Sequence, residues 1–589
     1  MSEGVLKTEL PDNHEKSIQT PGEDRKYKVT RLICWSVCIG FAMLEVWSGR
    51  QYSDPDGICY LDMSDALLRH NWLLLINPYW SPLYPFLIGL ATKLLHPSAY
   101  WEFPIAHVVN FFIFLGALAS FEFLLRQAIR VCGRENERLD ADSPVPLPAW
   151  IWGLLGYSLF AWSTFVLING LRKVGPDLCV AMFVYLDAGL LLRLRCQAKR
   201  LPTFLLLGLA LGLGYYAKTA LFPLALVFMA VAFFAVGSWR KALLPTSLML
   251  LVFAAIAAPL VIAISDSVGH FTFGESGSNN YARIVAGEKT FQFYFSTPPA
   301  YLEHPLNLIH RNPNVFEFGH PFSATYPLWW DAPYWDAGFK VSFNAKEQFR
   351  ALGTSVLCLL AILVWQVLGP IAAYLTLLMR SFNISRCLRN TLRGWPLLIP
   401  SVAGLCMYSL VVVVPRYIGA FAVLIWIVLF SGIRLQKTDR SIKLANFAAL
   451  VFSSWLTAMV AGSCIYHLVR PLPMLQGHGG THYRAAEFLN ENGLLPGQAV
   501  AVIGTGVDGM FWARLARLHI VAQIPPEYAD DFWQVSAPRV KAEVYDAFAR
   551  AGAMAVVAEE APPSEGFADW QRVGGTRYYV HFLSSPKDK

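Results

Sequence analysis

Long apolar segments separated by short charged ones dominate residues 29–468 of the chain. Each apolar segment is about twenty residues long, the length of a helix that crosses a hydrocarbon core of roughly 30 Å. The pattern predicts a mainly α fold, a polytopic membrane helical bundle of about eleven spans. The predicted spans are 31–48, 103–125, 149–168, 177–195, 202–217, 220–237, 243–264, 353–379, 396–414, 417–433 and 445–467.

Composition supports this interpretation and excludes a soluble single-domain protein. Of the 589 residues, 55% are hydrophobic and only 15% are charged, whereas average soluble proteins carry about 25% charged residues. A single soluble core does not grow to this size.

The distribution of Lys and Arg predicts the orientation of the spans. Residues 1–28 are polar and lack a compact signal-peptide pattern, so we expect the first apolar segment to stay as an anchor. With a cytoplasmic N-terminus, the basic segments 126–138, 193–200 and 434–443 all fall on the inner side. The net charge of +7 then reflects inner loops and gives no indication of nucleic-acid binding.

An odd number of spans places three larger parts on the outer side: the loops 49–102 and 265–350 and the C-terminal segment 469–589. Among the ten cysteines only Cys59 lies in these parts, so no disulfide framework is predicted. We expect a multi-pass protein of a bacterial inner (plasma) membrane.

The outer parts contain their own secondary-structure patterns. In the first loop, residues 58–70 form an amphipathic pattern, and residues 82–95 are apolar but too short to span, which indicates an interfacial helix. The C-terminal segment predicts a small α/β domain. Its predicted strands are 499–504, 519–524, 553–559 and 576–583, and its predicted helices are 481–491, 509–517 and 537–551.

A glycine motif in this domain suggests a competing function. Gly504, Gly506 and Gly509 form G-x-G-x-x-G between a predicted strand and helix, and Glu527 follows, as in dinucleotide-binding proteins. Because the domain is small and lies outside, where nucleotides are scarce, we favour a tight strand–helix turn in a domain that recognises an acceptor or partner.

Charged residues at the outer ends of spans point to chemistry. Asp54, Asp56 and Asp62 directly follow the first span, and cations lie in three outer turns at Arg172 and Lys173, at Lys218 and at Arg416. Each cation alone is equally explained by snorkelling or by structural pairing, for example of Arg172 with Asp177. Together with an acidic loop on the same side, they favour a functional site.

These residue types suit a lipid-linked phosphate. Arg binds phosphate oxygens as a fork and Lys binds them as a point charge. Such cations also stabilise the charge that a phosphate leaving group gains as its bond breaks. A nearby carboxylate can act as a general base for an acceptor hydroxyl. The combination predicts sugar transfer from a polyprenyl-phosphate donor at the membrane surface.

Several segments resemble GT-C membrane glycosyltransferases, which include lipid A aminoarabinose transferases and protein O-mannosyltransferases. The segment "PDGICYLDMSDALLRHNW" resembles their first outer loop, with Asp56 at the family's Asp and Tyr60 at its aromatic, while Gly57 stands where many relatives have Glu. "NPYWSPLYPFLIGLATKLL", "GPDLCVAMF", "GLGYYAKTALFPLA" and "PRYIGAF" are similar to recurrent family segments, so the resemblance extends over residues 30–435.

The resemblance implies an inverting glycosyltransferase in which Asp56 is the general base. It also implies that Lys218 and Arg416 bind the donor phosphate, with Arg172 as a weaker third candidate. The wider set of predicted substrate contacts is Asp54, Tyr60, Asp177, Tyr417, Trp330 and Asp331. No cofactor or metal site is assigned. The Asp54-x-Asp56 spacing leaves the binding of a divalent cation as an open alternative. The alternative for Asp56 is a helix cap on the 58–70 segment.

Aromatic residues in the long outer loop form a further candidate surface. Trp329, Trp330, Asp331, Tyr334 and Trp335 suit stacking on a sugar or lipid head, and the alternative is an aromatic belt at the membrane surface. The histidines of this loop, His304, His310 and His320, are expected to be ordinary loop residues.

The rival function is a polytopic transporter of a lipid-linked or small anionic substrate. The sequence shows no internal repeat and no matching pair of Gly/Pro-broken spans, which are typical of transporters. The expected partners are therefore a polyprenyl-phosphate-linked sugar and a lipid, glycan or protein acceptor, neither of which the sequence names.

Overall fold

The computed structural model describes residues 21–137, 144–196, 200–287, 303, 306–318, 324–327, 332–338, 341–379, 384–469, 479–506, 509–534, 537–559 and 569–583. All structural statements below refer to these residues. They form a helical bundle with a small mixed sheet at its C-terminal end, which confirms the predicted fold class.

The helices of the first half run from the N-terminus to the long outer loop. They are α1 (Pro21–Gly49), α2 (Pro55–Leu68), α3 (Trp72–Leu75), α4 (Leu83–Leu95), α5 (Glu102–Glu137), α6 (Ala149–Trp162, continued as π-helix over Ser163–Ile168), α7 (Asp177–Cys196), α8 (Leu201–Ala217), α9 (Leu221–Ala235), α10 (Trp239–Val268) and α11 (Ser276–Ile284).

The second half contains the remaining bundle helices and those of the C-terminal domain. They are α12 (Ala332–Trp335), α13 (Ala345–Gln366), α14 (Leu368–Met379), α15 (Ile384–Arg393), α16 (Trp395–Ser409), α17 (Pro415–Gly432), α18 (Asp439–Val469), α19 (Gly479–Glu491), α20 (Phe511–Leu515), α21 (Pro526–Trp533) and α22 (Pro538–Arg550).

Seven of the described helices are long and apolar enough to cross a membrane, and five shorter apolar helices accompany them. The chain is therefore a multi-pass membrane protein. The seven are Arg25–Gly49, Ala99–Arg134, Ala149–Ile168, Trp239–Val268, Ala345–Gln366, Pro415–Gly432 and Asp439–Val469.

Each of the eleven predicted spans corresponds to helical structure, but the predicted span 353–379 is not one helix. It is interrupted at Val367, between α13 and α14. Pro370 has no N–H with which to bond the carbonyl of Gln366 and would clash with it in a continuous helix. The carbonyl oxygen of Gln366 instead accepts a hydrogen bond from the Trp455 indole at 2.8 Å.

Small residues let some helices pack closely. Helix α8 lies against α10, and a Cβ atom added at Gly208 would lie 2.5 Å from the backbone oxygen of Met249. Glycine is therefore required at this contact for the two backbones to approach.

The sheet combines the C-terminal domain with part of the long outer loop. Its order is β1-β2-β4-β3-β5-β7-β6. The strands are β1 (Asn307–His310), β2 (Val315–Glu317), β3 (Ala499–Ile503), β4 (His519–Ile524), β5 (Ala555–Ala558), β6 (Gln571–Arg572) and β7 (Tyr579–Phe582). Strands β4 and β5 flank β3 in parallel, and β2 pairs antiparallel with β4, where Phe316 lies opposite Gln523. The four predicted C-terminal strands are thus present, and the loop hairpin that extends their sheet was not predicted.

The glycine motif lies at the predicted turn after β3. Gly504 has a φ of 65°, which a residue without Cβ adopts freely. A Cβ atom at Gly509 would lie 2.4 Å from Oε2 of Glu559, and the Tyr578 hydroxyl donates to the Gly509 carbonyl. These contacts show that Gly509 is packed within the domain, and α20, which follows the motif, is only five residues long.

We expect Gly208→Ala to destabilise the bundle, because the added methyl group overlaps the α10 backbone and overpacking costs about 1–3 kcal/mol. The matched control is Gly462→Ala on α18, where nothing lies within 4 Å of the added Cβ. Thermal unfolding in detergent should show a lower transition temperature for the first variant only. Equal transition temperatures in the two variants would contradict this packing.

Candidate active site

Four helix ends converge to form the candidate site. Asp54 and Asp56 lie where the chain enters α2, and Asp177 is the first residue of α7. Lys218 ends α8, and Arg416 lies in the first turn of α17, directly after Pro415. The structure therefore brings together the acidic loop and the turns of Lys218 and Arg416, and Lys173 of the third predicted turn is close enough to act electrostatically on Asp54.

The Arg416 guanidinium lies at the centre of this group. Its Nη2 atom donates to Oδ2 of Asp56 at 3.1 Å, its Nη1 lies 3.5 Å from Oδ2 of Asp54, and its Nε lies 3.6 Å from Oδ2 of Asp177. One cation thus pairs with three carboxylates that come from two distant parts of the chain.

Lys218 joins the group through Asp177. Its Nζ atom donates to Oδ1 of Asp177 at 2.8 Å and lies 3.9 Å from the centre of the Tyr417 ring. The Tyr417 hydroxyl accepts a hydrogen bond from Arg416 Nη2 at 3.2 Å, and its ring stacks on Tyr408 at 5.1 Å. Cation–π contact and ion pairing together hold the ammonium in place.

The three carboxylates differ in their access to solvent. The side chain of Asp56 is 27% exposed, against 12% for Asp54 and 10% for Asp177. Asp56 also lies in the first turn of α2, within hydrogen-bond distance of Arg416. Asp56 is therefore the member of the group best placed to meet an acceptor hydroxyl.

Asp54 lies in the least favourable environment for a charge. Burial, and next to it the charge of Asp56, raises the pKa of Asp54 well above its usual range, although Lys173 and Arg416 oppose the shift. Oδ1 of Asp54 and Nε of Arg416 are both buried and make no hydrogen bond to the described part of the chain.

The helix-cap alternative for Asp56 is wrong. Helix α2 begins at Pro55, so the N-cap position belongs to Asp54, and the Asp54 side chain makes no capping hydrogen bond. Asp56 instead points its carboxylate to Arg416 on a helix 360 residues away in sequence.

Arg172 contacts a different acidic residue. Its Nε lies 3.8 Å from Oε2 of Glu45 near the end of α1, and His467 of α18 also contacts Glu45, at 3.0 Å. The pairing of Arg172 with Asp177, offered as the structural alternative, is wrong because Asp177 pairs with Lys218 and Arg416. A contact of Arg172 with the donor stays a prediction.

The aromatic residues predicted near the site have different environments. Tyr60 is buried, in edge-to-face contact with Trp80 and Tyr84 at 5.3 Å each, so it packs α2 against its neighbours. Its role as a substrate contact stays a prediction. Trp335, predicted to stack on a ligand, is fully buried, and its indole donates to the carbonyl of Pro327.

Other predicted loop residues cannot be placed. Trp329, Trp330, Asp331, His304 and His320, and the side chain of Tyr334, lie outside the described residues. His310 is described and hydrogen-bonds the carbonyl of Pro313. No group of three His, Cys, Asp or Glu side chains that could hold a metal is found among the described residues, and metal dependence stays untested.

A second group of polar residues adjoins the site and was not predicted. The Tyr79 hydroxyl donates to Oδ1 of Asn280 at 3.2 Å and accepts from Nη2 of Arg283 at 3.0 Å. Asp56 and Tyr417 are close enough to act electrostatically on Tyr79. The sequence offered little signal, since Asn280 and Arg283 lie on the short helix α11, about fifty residues before the aromatic segment of the same loop.

Comparison with known proteins gives matches of structure only. No family model matches the sequence, and no curated protein matches it. The solved structure of ArnT from Cupriavidus metallidurans bound to undecaprenyl phosphate is similar over 96% of this chain and 99% of that chain, with 12% identity and a TM-score of 0.50. The chain has the GT-C fold.

Two further solved structures show weaker similarity. ArnT from Cupriavidus metallidurans in the apo state matches 94% of this chain and 98% of that chain, with 12% identity and a TM-score of 0.48. The Archaeoglobus fulgidus oligosaccharyltransferase in complex with Zn and sulfate matches 90% of this chain and 68% of that chain, with 12% identity and a TM-score of 0.44.

The raised pKa of Asp54 predicts a pH dependence of anion binding. When Asp54 is protonated, Arg416 faces one fewer carboxylate and attracts an anion more strongly. Affinity for a polyprenyl phosphodiester, whose single charge is constant in this range, should rise as the pH falls from neutral through the raised pKa. This gain in affinity should disappear again as the pH increases.

The test is binding of that phosphodiester in detergent at a series of pH values, with Asp54→Asn as the comparison. At neutral pH, the variant should bind the phosphodiester with the affinity that the wild type shows at lower pH. The affinity of the variant should change little with pH. The same pH profile in both proteins would contradict the assignment.

Proposed function

We propose that the protein is a membrane glycosyltransferase that moves a sugar from a polyprenyl-phosphate donor to an acceptor hydroxyl on the outer face of the membrane. The observation that carries the proposal is the partly exposed Asp56 carboxylate in contact with Arg416, which shares Asp177 with Lys218. A base and two phosphate-binding cations thus occupy one site. The GT-C fold supports this class of reaction.

Asp56 would act as the general base. Its carboxylate removes the proton of the acceptor hydroxyl as the oxygen attacks the anomeric carbon of the sugar. The bond between that carbon and the phosphate oxygen breaks, and the electron pair leaves with the polyprenyl phosphate. Attack opposite the leaving group inverts the configuration at the anomeric carbon.

Arg416 and Lys218 would bind the donor phosphate. The bond-breaking step increases the negative charge on the phosphate, so both cations stabilise the transition state more than the bound donor. Charge-assisted hydrogen bonds of this kind contribute about 1.5–3 kcal/mol each. Asp54 and Asp177 hold the two cations in position.

The membrane location explains why a lipid-linked donor fits this site. Its phosphate and sugar would lie among the helix ends while the polyprenyl chain stays in the hydrocarbon. The similar ArnT structure, which covers nearly the full length of both chains, contains undecaprenyl phosphate and supports a donor of this type. The bias of Lys and Arg toward the other side supports an outer location of the site.

We expect Asp56→Asn to abolish transfer without weakening donor binding, since the variant also removes one carboxylate charge from beside Arg416. The amide keeps the size of the side chain but cannot accept the acceptor's proton. The measurement is the transfer of radiolabelled sugar from purified polyprenyl-phosphate sugars to a membrane acceptor fraction. Asp546→Asn on the exposed face of α22 is the control and should retain full activity.

Wild-type activity of Asp56→Asn would remove Asp56 from the mechanism. Lipid vesicles that contain the purified protein test the transporter alternative. Movement of the donor across their membrane without sugar transfer, in wild type, would contradict the transferase proposal.

Replacement of Arg416 by Lys or of Lys218 by Met should weaken donor binding about tenfold to a hundredfold, in line with the loss of one charge-assisted hydrogen bond. Acceptor affinity should change little, because the acceptor meets Asp56. Direct binding of polyprenyl phosphate measures the effect. Unchanged donor affinity in both variants would place the phosphate elsewhere.

A further inference from the structure

A second buried cluster of charges joins the C-terminal domain to α2. Nη1 of Arg514, on α20, lies 2.7 Å from Oδ1 of Asp62 and 2.8 Å from Oδ2 of Asp65, and its Nη2 lies 2.5 Å from Oε1 of Glu102. Arg517 contacts Asp65 and Glu102 as well, at 2.5 and 3.0 Å. Asp62 and Asp65 belong to α2, Glu102 begins α5, and both arginines belong to the C-terminal domain.

This cluster is more deeply buried than the candidate active site. The Arg514 side chain is 3% exposed, and those of Asp62 and Glu102 are 7% exposed each. Charge-assisted hydrogen bonds are directional and strong when water is excluded. A guanidinium with three carboxylate partners therefore restricts both the rotation and the axial position of α2.

The long outer loop strengthens the same contact. The Thr325 backbone N–H and hydroxyl donate to the Asp62 carboxylate at 2.9 and 2.8 Å. The Thr325 carbonyl accepts from the N–H of Ile520, and His519 bonds the carbonyl of Ala324. The segment 324–327 thus connects the beginning of β4 to the middle of α2.

Helix α2 carries Asp56 in its first turn, six residues before Asp62. Nine of its 14 residues are buried, and six of these have apolar or aromatic side chains. Apolar burial is non-directional. Apolar packing alone leaves the rotation of a helix that is buried on several sides weakly specified. The polar contacts of Asp62 and Asp65 fix the rotation of the helix.

We propose that Arg514 is a positioning residue for the transfer reaction: by holding Asp62 and Asp65 it orients α2 so that Asp56 faces Arg416 and the acceptor. The C-terminal domain then contributes to the reaction through the orientation of α2. This inference rests on the proposed function.

The test compares Arg514→Lys and Arg514→Met with a matched variant of the same domain, Arg577→Lys. Arg577 pairs with Glu559 within the C-terminal domain, so its replacement perturbs that domain without touching α2. Lys at position 514 keeps the buried charge and protects folding, but it cannot make the same fork of contacts.

Two readouts are needed. For Arg514→Lys we expect kcat for sugar transfer to fall about tenfold and donor affinity to change much less, because Lys218 and Arg416 lie on other helices and keep their pairing with Asp177. Arg514→Met should lose more activity, and Arg577→Lys should keep the wild-type kcat. Hydrogen exchange, which reports local opening, should be faster over residues 55–68 in the Arg514 variants only.

The outcomes separate this inference from the proposed function. Wild-type kcat together with wild-type exchange over residues 55–68 in Arg514→Lys would overturn it, as would an equal loss of kcat in Arg577→Lys. If the wild type transfers no sugar, the proposed function fails, and the exchange data alone still decide whether Arg514 orients α2.

Discussion

The ion pairing of Arg416 with Asp54, Asp56 and Asp177 is the constraint on which the site depends. A mostly buried guanidinium at the end of a spanning helix costs free energy unless anions surround it. Three carboxylates in a small volume are equally costly without a cation, since they repel one another. Each side of the group stabilises the other, and four helix ends must meet for this balance to exist.

Helix α2 connects this group to the rest of the outer structure. Its first turn faces Arg416, and its middle faces Arg514, which lies 452 residues after Asp62 in sequence. Between these two arginines the helix packs against apolar neighbours, and these contacts do little to fix its rotation. The long loop adds β1 and β2 to the sheet. Both this sheet and the segment 324–327 therefore help to position the same helix that the membrane bundle contacts.

Local patterns in the sequence predict much of this architecture, because spans, strands and charged turns are local features. They do not show which partner a charge finds. Asp62 was grouped with Asp54 and Asp56, yet it pairs with Arg514, and Arg172 was grouped with Lys218, yet it pairs with Glu45. The β1–β2 hairpin is too short to give a strand pattern. The break at Val367 is indicated in the sequence by Pro370, but hydrophobicity alone does not show it.

The most direct test of the central claim is a structure of the protein in a lipid nanodisc with a polyprenyl phosphate. The account predicts that the phosphate lies within hydrogen-bond distance of both Arg416 and Lys218, with Asp56 beside it and open to an acceptor. A phosphate bound away from both cations, with their ion pairs to Asp56 and Asp177 intact, would contradict it.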